Sequence, residues 1–206
     1  MADEDEIRGL VEIVYRYGVY DRQGQNAIAG IAKIGGTAIP FVLNVMQNPP
    51  KSDLHPRDLA DSIQAIFTGL ARTAPDALID LMERDPDTEF MVVWALGNAK
   101  GKRSIDALVA ALKHKNKWVR WAAVESLLRC RSEKAVDPLI DVLRDRSSMV
   151  KSPVVYAMAK QPMYRKRRAL ELLRKIVVSK SIGKNSPGLW KQAQQVVDII
   201  ERECPE

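Results

Sequence analysis

The segment from Ser104 to Ala159 carries one pattern of apolar positions twice. Shifted by 31 residues, Ile105, Asp106, Leu108, Val109, Leu112, Val119 and Leu127 fall on Val136, Asp137, Leu139, Ile140, Leu143, Val150 and Met158. A repeat of this length holds two short helices. Neither can bury its apolar face alone, so successive repeats must stack to build a continuous core. The pattern also reaches forward, because Ala38, Ile39, Val42, Leu43, Val45 and Met46 follow the order of Ala135, Val136, Leu139, Ile140, Val142 and Leu143.

The same periodicity predicts the remaining elements. Ile7, Leu10, Val11, Val14 and Tyr15 form one stripe of a helix over 3–17, and a second helix over 23–34 stops at Gly35-Gly36. A third covers 37–46. The stretch 47–56, with three prolines, reads as a loop inserted between paired helices. Helices are expected over 58–73, from Pro75 to about 84 and over 87–96, then in pairs over 102–130, 133–160 and 164–203. The expected fold is all-α: an α-solenoid, or superhelix, of about six antiparallel helix pairs. It is read as a single repeat domain over 1–206, with atypical capping pairs at about 1–35 and 164–206.

A hydrophobic content of 46% is enough for a sizeable core. The acidic start of the chain lacks a basic segment followed by an apolar run, and no run approaches the roughly 18 apolar residues of a membrane span. Cys130 and Cys204 make no CxxC pair, which fits a reducing compartment. The expectation is a cytoplasmic protein with no membrane partner. The net charge of +6 hides an asymmetry: residues 1–98 hold 8 Lys and Arg against 15 Asp and Glu, or −7, and residues 99–206 hold 24 against 11, or +13. Such a basic half fits an acidic or nucleic-acid partner, head-to-tail contact between copies, or a solvated surface.

The segments AVDPLIDVLRD and VRWAAVESLL resemble the HEAT-like repeat of phycobilisome lyases. Asp137, Pro138, Leu139 and Leu143 match its first helix, and Val119, Arg120, Ala122, Ala123 and Leu127 match its second. The resemblance implies the fold, and it implies that Arg120 and Lys151 pair with acidic residues of adjoining turns. It also brings three activities into view. Bilin lyases handle a tetrapyrrole, although no motif of that branch stands in this sequence. Deoxyhypusine hydroxylases carry several His-Glu pairs, whereas His55 and His114 are the only histidines here and neither precedes Glu. HEAT-like DNA glycosylases present aromatics and a carboxylate on their inner face.

At about 100° per residue, Val119, Ala123, Ser126, Leu127 and Cys130 face the core of their helix while Trp121, Glu125 and Leu128 point away. Carried through the repeat, this register sets two rows on the concave side, Phe90-Trp121-Ser152 and Trp94-Glu125-Tyr156, with Trp118 at their edge. Three uses of these rings stay open: packing between neighbouring second helices, a partner-binding groove, or Glu125 acting among aromatics on an extruded base. The run Arg165, Lys166, Arg167 and Arg168 is either a solvated cap or an anion contact. There is no Gly-rich phosphate loop, and two histidines in different repeats make a weak case for metal.

The reading that follows is a non-enzymatic scaffold or adaptor, with no catalytic residues, metal or cofactor. Its protein or peptide partner sits in a concave groove of Phe90, Trp94, Trp118, Trp121, Glu125 and Tyr156. The alternatives are nucleic-acid binding or glycosylase-like activity through the basic half, and a bilin lyase or chaperone-like small-ligand binder.

Overall fold

The apolar repeat is expressed as helices throughout. The computed structural model describes residues 4–99, 101–164, 167–179, 182 and 185–203, and no strand occurs among them. The α-helices in chain order are α1 (Glu4–Tyr17), α2 (Arg22–Ile34), α3 (Ile39–Gln47), α4 (Pro56–Thr73), α5 (Pro75–Arg84), α6 (Glu89–Leu96), α7 (Lys102–Ala111), α8 (Lys117–Cys130), α9 (Val136–Asp141), α10 (Ser148–Lys160), α11 (Arg167–Val178) and α12 (Pro187–Glu203). This is the all-α solenoid class that the repeat implies, and the elements differ from the expected ones mainly at their ends. The third helix opens with a 3-10 turn over Gly35–Ala38, and α9 tightens into another over Val142–Arg144.

Local chemistry explains the breaks. Gly35 ends α2 with φ of 77°, a backbone that side-chain-bearing residues avoid. Asp21 caps the same helix by accepting from the Gln23 amide at 2.7 Å. Each histidine does similar work: His55 Nδ1 accepts from the Arg57 amide at the start of α4, and His114 Nδ1 from the Asn116 amide before α8. Asn116 then accepts from the Trp118 amide at 2.9 Å.

Packing divides the chain into two compact units, 1–104 and 105–206. In the first, α2 lies between α1 and α4, α4 also packs on α6, and α3 rests on α1. The loop 47–56 is held to this stack, for Ser52 donates to the Tyr15 carbonyl and Leu54 meets Gly18. The core here is built by Val11, Val14, Ile31, Ile66, Phe67, Leu70, Leu78 and Leu96. Contrary to the expectation that no run approaches a membrane span, Arg22–Gln47 is long and apolar enough to cross one by length and composition. Gly35 interrupts the run, and Ala27, Ile31, Ala38 and Val42 are buried in the unit, although only 22% of its apolar window is buried.

In the second unit α10 lies between α8 and α12, and α11 covers α12. Leu108, Val124, Leu127, Leu139, Ile140, Val154, Val155, Leu173 and Val196 fill its core. The α8 surface differs from the simple two-sided reading, because Ala122 and Val124 are buried along with Val119, Ala123 and Leu127. A helix that has an outer helix behind it and a neighbour beside it loses water on more than one arc. Cys130, read as a core position, is only half-buried, although burial still pushes its thiol pKa up.

Candidate functional site

The second unit contains a cavity of about 610 Å³ whose wall comes from α8 and α10. Trp121, Glu125 and Leu128 line it from α8; Met149, Ser152, Pro153, Tyr156 and Lys160 line it from α10, and Gln192 of α12 adds a polar edge. The spacing of four between Trp121 and Glu125 puts both on one side of α8, and the same spacing joins Ser152 to Tyr156 on α10. Trp121 and Glu125 are half-buried, whereas Tyr156 is 54% exposed.

Burial raises the Glu125 carboxyl above its ordinary pKa, and the positive charge of Arg129 one turn on opposes the rise. Arg129 is itself lowered by burial, with Glu125 pulling it back up, and its Nη2 donates to Ser126 Oγ at 3.0 Å. The Lys160 ammonium lies 5.9 Å from the centre of the Tyr156 ring, within cation–π range.

The other expected site residues fall in different places. Trp118 is 51% exposed, with the Lys117 ammonium 5.5 Å from its ring centre, and it is not part of the cavity wall. Phe90 and Trp94 belong to the first unit, where their rings stack with centroids 6.5 Å apart and planes 18° off parallel. Phe90 is 39% exposed and Trp94 half-buried. Of the basic run, Arg165 and Lys166 lie outside the described residues, and Arg167 and Arg168 are described only as the first residues of α11.

Arg120 and Lys151 are buried, at 5% and 7% exposure. Arg120 makes a two-pronged ion pair with Asp145, at 2.7 and 3.1 Å, and donates to the carbonyls of His114 and Lys115. This is the pairing with an acidic residue of an adjoining turn that the repeat implies, so Arg120 holds the frame of the site and is not a ligand within it.

Register reasoning overlooked Met149, Pro153, Lys160 and Gln192. A proline inside the α10 pattern was the available signal. Pro153 brings no amide to the helix, so the Met149 carbonyl lacks its usual donor four residues on.

Residues 75–159 match the family model for HEAT repeats. That match supports the HEAT family for the stretch holding α5 to α10, and a HEAT-repeat solenoid is a fold compatible with a scaffold or protein-binding role. No curated protein matches the chain. Among solved structures the chain is similar to crystal structures of engineered proteins, targets of the Northeast Structural Genomics Consortium. One is 17% identical with a TM-score of 0.47, covering 96% of this chain and 97% of that one. A second is 18% identical with a TM-score of 0.47, covering 98% and 100%.

Proposed function

We propose that this protein is a non-enzymatic, cytoplasmic binding module whose second unit seats a segment of a partner protein against α8 and α10. The observation that carries the reading is the Trp121, Glu125 and Tyr156 cavity. Large rings with a polar tip stand at the edge of water instead of in the core, the composition that dominates protein interfaces. Trp118 extends the same helix's exposed aromatic surface, and Phe90 with Trp94 gives the first unit a stacked pair of its own. The sequence of the repeats favours the phycobilisome-lyase type within the HEAT family.

A test combines co-purification from the native host with melting. Tyr156→Ala removes an exposed ring, so it should release the partner while the melting temperature stays within about 2 °C of wild type. A drop in melting with the partner retained would mean that the ring packs and does not bind.

The +13 charge of residues 99–206 favours a second reading, nucleic-acid binding through the basic half. Duplex binding that falls steeply as salt rises would support it. No duplex binding at low salt would remove it.

A further inference from the structure

The Trp121, Glu125 and Tyr156 cavity has acceptors and ring faces on its walls. We infer that it takes the side chain of an arginine presented by the bound segment; this rests on the peptide-binding reading above. Glu125 supplies a half-buried carboxylate from α8. On α10 the same cavity is lined by Ser152 and Tyr156, whose hydroxyl oxygens can accept hydrogen bonds.

A guanidinium carries five N–H donors in one plane, and this fork suits acceptors that come from two different helices better than the compact ammonium of lysine does. Its flat face stacks on indole or phenol rings, and Trp121 and Tyr156 supply both. The three methylenes of the arginine stem lie along Leu128 and the Trp121 ring.

Lys160, an exposed lysine at the cavity edge, rests its ammonium 5.9 Å from the Tyr156 ring centre and occupies the face that a guest cation would use. An arriving guanidinium displaces that ammonium into water at little cost. An anionic guest would instead keep Lys160 in place and gain from it and from the Arg129 charge beside Glu125, but it would lie against the Glu125 carboxylate, where like charges repel.

Lys160 therefore gives the test its sign. The probes are fluorescein-labelled, alanine-rich peptides with one central arginine, lysine, citrulline or glutamate, titrated against the full chain by fluorescence anisotropy at low salt. The arginine peptide should bind about tenfold tighter than the citrulline one, which has the same shape without the charge. Glu125→Gln should weaken the arginine peptide by a similar factor, with circular dichroism unchanged. Lys160→Met should tighten it by removing a competitor.

Equal binding of arginine and citrulline, tighter binding of the glutamate peptide, weaker arginine binding in Lys160→Met, or no arginine binding would each overturn the inference. The peptide-binding reading would outlive those results if the natural partner still bound wild type and was lost in Tyr156→Ala. Loss of both would end the two together.

Discussion

Arg120 and Asp145 join two consecutive repeats of the second unit through a paired contact, Nε to Oδ2 at 2.7 Å and Nη2 to Oδ1 at 3.1 Å. The remaining guanidinium donors close on the turn before α8, and Asp145 also accepts from the Ser147 amide at the start of α10. One buried arginine thus ties the entry of α8 to the entry of α10. That fixes the register in which Trp121 and Glu125 line one cavity with Ser152 and Tyr156.

Removing one partner leaves the other charge buried, so Arg120→Met should cost about 3–5 kcal/mol, measured by denaturant unfolding. Burial alone would raise the Asp145 carboxyl. The hydrogen bonds from Arg120 and Ser147, together with the charges of Arg120 and Lys151, hold it below its ordinary value instead. A lowered carboxylate adds stability above its unfolded pKa of about 3.9 and loses it as pH falls through the folded value. The melting gap between wild type and Asp145→Asn should therefore be widest at neutral pH and shrink in acid.

Glu125 has the opposite sign. Its folded pKa lies above the unfolded one, so a stability cost sets in as pH rises past the unfolded value and is complete above the folded one. Glu125→Gln should melt higher than wild type at neutral pH, and the gain should vanish as pH drops below about 4.3. A lower neutral melting temperature in the variant would show that the attraction to Arg129 outweighs the burial cost.

Tyr164, fully buried in the turn Pro162–Tyr164 that packs on α10 and α9, finds no hydrogen-bond partner for its hydroxyl among the described residues. A buried hydroxyl without a partner carries a desolvation penalty. Tyr164→Phe keeps the ring and should raise stability by about 1 kcal/mol in equilibrium unfolding.

Gly24 marks the closest approach in the first unit, where an added Cβ would fall 1.8 Å from the Gly18 carbonyl oxygen. The atom met is backbone, not the far end of a flexible side chain, and the Gly18 amide is itself tied to the Val14 carbonyl at 2.9 Å. Gly24→Ala should cost about 3 kcal/mol or more. Gly9→Ala, with nothing within 4 Å, is the control that should be neutral or slightly stabilising.

The period of apolar residues made the helices and their pairing legible, because every repeat had to present the same face to its neighbour. It also set Trp121, Glu125, Ser152 and Tyr156 on the faces that line one cavity. What it missed has two causes. Met149, Pro153 and Lys160 stand on the same arc of α10 as Ser152 and Tyr156, but the rows carried over from α8 named only two positions on that helix, and Gln192 comes from a last helix that breaks the repeat. The burial of Ala122 and Val124 was invisible because a one-face pattern does not count the flanking helix. The capping role of His55 and the hydrogen bond that His114 accepts from the α8 cap Asn116 depend on turn geometry two residues long, which hydrophobic spacing does not encode.

The central claim, that the α8–α10 cavity is a peptide-binding surface, is tested most directly by display selection. A random peptide library is selected on the wild-type protein and each enriched peptide is measured against Tyr156→Ala. The account predicts enriched peptides whose binding falls at least about tenfold in the variant. No enrichment, or peptides that bind both proteins equally well, would contradict it.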